Sequence, residues 1–208
     1  MSKLHIGIVI STVRPNRFGD TPAGWISDLA NKRADLSLEV VDLIDYPLPF
    51  FAELEAPVVA PPTPEVARRW SAKMAQFDGY IFVFAEYIHG IPGVLKNALD
   101  YLAHETRRKP AAIVGYGVLG AARGVEQLRL VLLELGAAPL GKAVHIALPE
   151  LRGVVGQGKA LSDFPYLVRN AEQMLDELSW WTRVLKAGRE PAARPLQDQA
   201  AGTAEGGL

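Results

Sequence analysis

Cysteine is absent from this 208-residue chain, which excludes disulfides, thiolate metal sites and thiol catalysis and suits a reducing compartment. Histidine is scarce, with four residues. His145, set inside a predicted strand, has no partner histidine or carboxylate at metal-ligand spacing, so no metal site is expected. An excess of one charge is missing too. The 22 basic and 23 acidic residues leave a formal net charge of −1, which removes the electrostatic case for nucleic acid or an anionic membrane as partner and makes any anion site a local matter. No apolar run approaches the ~18–20 residues of a bilayer span, and no secretory signal precedes the first predicted strand, so a cytoplasmic location is expected. What remains is enough length for one α/β domain with a substantial core.

The most informative stretch is Tyr80-Ile81-Phe82-Val83-Phe84, which stops at Ala85-Glu86-Tyr87-Ile88-His89-Gly90-Ile91-Pro92-Gly93 and restarts as Val94-Leu95-Lys96-Asn97-Ala98-Leu99-Asp100. Apolar residues in unbroken sequence, without alternation, predict a strand buried on both faces, as in a parallel sheet covered by helices. A loop and a helix over 92–104 follow. Pro92 suits the first helical turn, and Gly90 and Gly93 let backbone approach a flat ligand without an intervening Cβ.

Residues 4–10 predict the first strand, running straight into Ser11-Thr12-Val13-Arg14-Pro15-Asn16-Arg17-Phe18-Gly19-Asp20. Asp20 or Thr21 is the expected N-cap of the next helix, with Pro22 just after it. Two hydroxyls, two guanidinium groups and backbone donors beside a helix N-terminus suit a phosphate. The Gly-Lys-Ser/Thr ending of a Walker A loop is absent. A second strand is predicted over 38–43. Tyr46, Leu48, Phe50, Phe51 and a proline cluster then form an apolar, irregular segment that packs either on its own core or against another subunit or the rim of a site. The helix opened by Pro64-Glu65 carries Val66, Trp70, Met74 and Phe77 at helical spacing.

A fourth strand over 110–114 leads into Gly115-Tyr116-Gly117-Val118-Leu119-Gly120, and a helix over 125–135 follows. This Gly-x-Gly-x-x-Gly is not a Rossmann fingerprint: it follows the fourth strand, and the first acid after the next strand is Glu150, 30 residues beyond Gly120, where about 20 is the rule. A fifth strand over 141–148, a mobile loop over 151–163 and a long amphipathic helix over 165–185 complete the pattern. Leu167, Leu175, Leu178 and Trp181 of that helix are expected to cover the sheet. The domain is placed at 1–187, with 188–208 an expected disordered tail. Strands alternating with helices predict an α/β doubly wound five-stranded parallel sheet of flavodoxin-like order 2-1-3-4-5, with helices on both faces and a crevice between the carboxyl ends of the first and third strands. An anion site would there adjoin an apolar, glycine-bearing slot.

Glu86-Tyr87-x-x-x-Ile91-Pro92-Gly93-x-Leu95-Lys96-Asn97-Ala98-x-Asp100 resembles the flavin-edge motif of the NAD(P)H-dependent FMN reductases, and the likeness extends over residues 5–148. The usual motif begins Pro-Glu-Tyr-Asn. Ala85 and Ile88 replace its proline and asparagine, and Ile10 replaces the glycine that leads the phosphate loop, so contacts of that asparagine do not carry over. The resemblance implies FMN as cofactor and NADPH or NADH as co-substrate. Ser11, Thr12, Arg14 and Arg17 would lie at the phosphate, Glu86, Tyr87, Ile88, His89 and Gly90 at the flavin edge, and Tyr116, Gly117 and Gly120 against the pyrimidine edge. Hydride would pass from nicotinamide to flavin and on to a small-molecule acceptor such as a quinone, free flavin, azo compound or metal oxyanion. No catalytic side chain is required, because the cofactor does the bond-making. A homodimer or tetramer is also implied, through helix 92–104 and the segment around Tyr46, Leu48, Phe50 and Phe51. Two other readings share the fold: an electron carrier or redox sensor, which the near-neutral charge disfavours, and a flavin-free interaction module.

Overall fold

All seven residues of β3 (Gly79–Ala85) and all seven of β4 (Pro110–Tyr116) are buried, as unbroken apolar runs require when both faces of a parallel sheet are covered. The computed structural model describes residues 3–189. In it these two strands join β1 (Leu4–Ile10), β2 (Leu36–Asp42) and β5 (Ala138–Ile146) in one sheet of order 2-1-3-4-5. All pairings are parallel, with Ile8 beside Val40 and Ile81, and Phe82 beside Ile113. The edge strands β2 and β5 carry exposed positions among their buried ones, in keeping with their partial cover.

The helices are α1 (Asp20–Asn31), α2 (Glu65–Ala75), α3 (Gly93–Asp100), α4 (Ala122–Glu134), α5 (Leu148–Gln157) and α6 (Pro165–Arg189). Because strand side chains alternate between faces, the sheet separates two cores. Ile6, Ile8, Ile81, Val83 and Val114 meet Ile26 of α1 and Leu167, Leu175 and Leu178 of α6. Val9, Phe82, Phe84 and Ile113 meet Trp70 and Met74 of α2, Leu95 of α3 and Leu128 of α4. Among the described residues no helix is long and apolar enough to cross a membrane.

Several expectations need correction. The N-cap of α1 is Gly19, without a side-chain hydrogen bond, and Asp20 lies in the first turn; its carboxylate is taken by Arg17 instead. Pro92 is the N-cap of α3 in extended conformation, and the helix ends at Asp100. Leu43 belongs to a 3-10 turn, Leu43–Asp45, whose Ile44 N–H donates to the Asp42 carboxylate at 3.0 Å.

Most of the expected mobile loop is α5. Its start is fixed by the nearly buried Glu150, which accepts from the Ala147 N–H at 3.0 Å. Its end is Gly158, at φ 68°. Gly153 is interior to it because a Cβ there would lie 2.9 Å from the Phe164 ring. Trp181 points outward beside Trp180, with ring centroids 5.1 Å apart, and does not cover the sheet. Gly188 and Arg189 continue α6, and the rest of the expected tail lies outside the described residues.

The irregular segment after β2 folds largely on its own core. Tyr46 meets Trp70 edge-on at 5.4 Å and Phe51 meets Tyr101 at 5.2 Å. Asn97 secures it, accepting from Phe51 N–H at 2.9 Å and donating to Pro49 O at 2.8 Å. Phe50 alone of the four apolar residues is turned out, 87% exposed. Trp70 donates from Nε1 to Ala98 O at 2.8 Å, joining α2 to α3. Trp70→Phe removes that bond and leaves a void, so unfolding by urea should show a loss of about 2–3 kcal/mol; a loss below about 0.5 kcal/mol would show that the Trp70 indole does not join these helices.

Candidate functional site

The β1, β3 and β4 loops converge at the carboxyl edge of the sheet. In the first, Ser11 and Thr12 are fully buried. Ser11 N–H donates to Val83 O at 2.9 Å and its hydroxyl to Val9 O at 3.1 Å, so this side chain turns inward. The Thr12 hydroxyl meets the Tyr116 hydroxyl at 3.2 Å, bridging the β1 and β4 loops. Burial pushes the Tyr116 phenol up to about 12, with the Thr12 contact opposing it. It therefore holds its proton at neutral pH.

The backbone N–H groups of Thr12, Val13, Arg14, Asn16 and Phe18 have no partner among the described residues. They precede the N-terminus of α1, where the helix dipole adds positive potential. Arg14 is exposed and lies 5.8 Å over the Tyr87 ring, with no ion pair among the described residues. Arg17, expected at a phosphate, is committed elsewhere: it is inserted between Asp20 and Asp42, and its side chain is 8% exposed. Those carboxylates, Asp42 first, hold its proton more firmly than usual. Burial opposes ionisation of Asp42, and the Arg17 bonds overcome it and lower the pKa.

In the second loop the Glu86 carboxylate is turned into the protein, 5% exposed. It accepts from the backbone N–H groups of Arg123 at 3.0 Å and Gly124 at 3.1 Å and pairs with the Arg123 guanidinium. Burial alone would raise its pKa, but the bonds from Gly124 and Arg123 lower it. The carboxylate of Glu86, expected at the flavin edge, thus caps the start of α4. From the same helix Gln127 Oε1 accepts the Ile91 N–H at 2.8 Å.

Between these two anchors Tyr87 and Gly90 exchange backbone hydrogen bonds of 3.1 Å each, and Ile88 and His89 take φ 45° and 72°. Two successive positive φ values make a type I′ turn, which favours Asn and Gly. Ile88 is β-branched and fully exposed, an unfavourable choice on both counts. His89 is exposed at the turn's second corner.

In the third loop Gly120 takes φ 62°, and a Cβ there would lie 2.9 Å from His145 Cβ. His145 Nδ1 donates to Gly120 O at 2.8 Å, a structural use of the strand histidine. Gly117 N–H is taken by Ile146 O at 3.1 Å, and a Cβ on Gly117 would stand 3.5 Å from Glu86 Cβ. Val118 and Leu119 are exposed, and their N–H groups have no partner among the described residues.

Beside the convergence of loops lies a groove of ≈ 630 Å³, mainly apolar, between Val13, Ile44, Leu48, Phe50, Gly93 and Val94. None of the expected cofactor residues lines it, although Val13 belongs to the β1 loop and Gly93 opens α3 directly after the β3 loop. Sequence reasoning also missed Asp42 and Gln127 and did not decide between a site role and a helix-end surface charge for Arg123, because their partners lie far away in the chain. Among the described residues no cluster of three or more potential metal ligands occurs. The site thus offers amide donors and a free guanidinium for an anion, next to an apolar, glycine-lined slot with two further amide donors. Those features fit a flavin mononucleotide: a phosphate at one end and a planar ring with carbonyl acceptors at the other.

The strain at Ile88 can be measured. Ile88→Asn suits the left-handed backbone and removes an exposed apolar surface, so stability should rise by about 1 kcal/mol, or ~2–4 °C in Tm. An unchanged or lower Tm would show that Ile88 is not strained.

Residues 4–148 match the family model described as NADPH-dependent FMN reductase. The chain is 40% identical over 129 residues to NAD(P)H-dependent FMN reductase ntnL of a Nectria species, covering 59% of this chain and 64% of that protein. It is 35% identical over 153 residues to NAD(P)H-dependent FMN reductase C4B3.06c of Schizosaccharomyces pombe, covering 71% and 76% respectively. Among solved structures it resembles the flavoenzyme NAD(P)H:(acceptor) oxidoreductase FerB of Paracoccus denitrificans, with TM-score 0.68 and 20% identity, covering 87% of this chain and 98% of that one.

Proposed function

Because the chain belongs to the family of NADPH-dependent FMN reductases, we propose that FMN lies across the crevice between β1 and β3, with its phosphate in the β1 loop and its ring between the β3 and β4 loops. FMN is the cofactor and NAD(P)H the electron donor. The observation that carries the placement is the run of unpartnered N–H groups from Thr12 to Phe18 ahead of α1, with the uncommitted Arg14 beside it. When bound, the flavin supplies two-electron chemistry, accepting reducing equivalents from NAD(P)H and passing them to a second substrate.

The protein's part is orientation, exclusion of water and fixed dipoles. The Thr12–Tyr116 bridge holds the phosphate loop and the β4 loop at a fixed separation. Amides of Val118 and Leu119 are free to donate to ring carbonyl oxygens. The exposed side chains of Val13, Ile88, Val118 and Leu119 make the mouth apolar, which suits uncharged planar acceptors such as quinones over metal oxyanions. The groove beside the mouth and the outward Phe50 suit contact with a second copy of the chain, and a homodimer at micromolar concentration is the expected sedimentation result; a monomer would remove this part of the reading.

Arg14→Ala removes a charge-assisted bond to phosphate worth ~1.5–3 kcal/mol, so FMN affinity of the apoprotein should fall roughly 10- to 100-fold in a fluorescence titration. Unchanged affinity would take Arg14 out of the phosphate site. If the β3 and β4 loops leave one face of the bound ring open, donor and acceptor would share it and donor product would have to leave first. Steady-state rates with NAD(P)H varied at several quinone concentrations should give parallel double-reciprocal lines. Intersecting lines would mean that both substrates are bound together.

A further inference from the structure

We propose that the Arg17 side chain is a positioning group, a strap that shapes the phosphate loop from behind and makes no contact with the phosphate; this rests on the FMN reading above. A guanidinium has five N–H bonds, and here each has an acceptor. Nε donates to Asp20 Oδ2 at 3.0 Å, one Nη2 hydrogen to Asp20 Oδ1 at 2.6 Å and the other to Asp42 Oδ2. Nη1 donates to Asp42 Oδ1 at 2.6 Å and to the Thr12 carbonyl at 2.6 Å. No guanidinium N–H remains for a ligand. The three partners are the loop's entry (Thr12), its exit into α1 (Asp20) and the end of the neighbouring strand β2 (Asp42), so one side chain closes the loop on itself and fastens it to the sheet.

The bond to Thr12 O has a directional effect. In a trans peptide the carbonyl and the following N–H point in opposite directions. Drawing the Thr12 carbonyl toward Arg17 therefore turns the Val13 N–H away from it, and that donor has no partner among the described residues. Arg17 thus aims a donor without itself facing the anion.

Charge makes the idea decidable. One guanidinium against two carboxylates leaves the cluster net negative, so it repels a phosphate. If only charge mattered, removing either carboxylate would tighten FMN binding, and if Arg17 were a direct ligand, freeing it from Asp42 would do the same. A strap demands the opposite: losing Asp42 should weaken binding, as losing Arg17 does, despite the opposite sign of the two residues.

The experiment titrates apoprotein with FMN and, separately, with riboflavin, which lacks the phosphate, following flavin fluorescence. Wild type, Arg17→Gln, Asp42→Asn, the double variant and Asp20→Asn are compared. Arg17→Gln and Asp42→Asn should each lower FMN affinity about tenfold and leave riboflavin affinity within about twofold, with the double variant no weaker than the worse single one. The Asp20 side chain is 59% exposed, so Asp20→Asn tests the strap without endangering the fold; about a threefold loss for FMN alone is expected. Tighter or unchanged FMN binding in Asp42→Asn and Asp20→Asn overturns the strap. Equal losses for FMN and riboflavin overturn it as well, because they indicate general disruption. If Arg17→Gln and Asp42→Asn do not fold, Asp20→Asn alone decides. Failure of wild type to bind FMN would defeat the FMN reading itself, a separate result.

Discussion

The buried carboxylate of Glu86 is the constraint on which the carboxyl edge depends. A charge out of water is tolerated only when it is paired and hydrogen-bonded, and here two backbone amides at the start of α4 and one guanidinium do both. The β3 loop is thereby bound to α4, and α4 to the glycine-rich turn that precedes it. The Ile91 N–H, held by Gln127, completes the anchorage. Everything between the two anchors is left with one short path, the Tyr87–Gly90 turn, and the shortness of that path is what drives Ile88 and His89 into left-handed backbone.

The fold was legible because its signals are local. Unbroken apolar runs announced β3 and β4, and helical spacing announced α2 and α6. What failed to show was anything set by distant partners. Gly153 and Gly156 made the segment after β5 resemble a loop, since the ring of Phe164 that requires the glycine at 153 is known only in three dimensions. Trp181 fits the apolar stripe of α6 by spacing, yet it pairs with Trp180 on the outside.

The candidate site shows the same division. That Thr12, Arg14, Tyr116 and Gly120 belong together follows from strand order and from the family resemblance. The inward turn of Ser11 and Glu86 and the commitment of Arg17 to Asp20 and Asp42 do not, because a residue type in a motif says which chemistry is available and nothing of which acceptors are already taken. The side chains of Glu86 and Arg17, both expected at a ligand, are occupied in holding loops in place, and apart from the Arg14 guanidinium the free donors are main-chain amides that no sequence pattern displays.

The parallel order 2-1-3-4-5 also bears on how the chain is made. β1 sits between β2 and β3, and Ser11, at the root of the phosphate loop, gives its N–H to Val83. A ribosome must therefore deliver more than eighty residues before the first loop gains its anchor, and the two edges of β1 are satisfied at different times. Such long-range pairing has a high loop-closure cost and folds slowly. Until β3 emerges, β1 has one edge of unpaired backbone N–H and C=O groups, open to any other strand. The early part of the chain is therefore where a nascent molecule would most need a chaperone, and it is the same part that later forms the anion site.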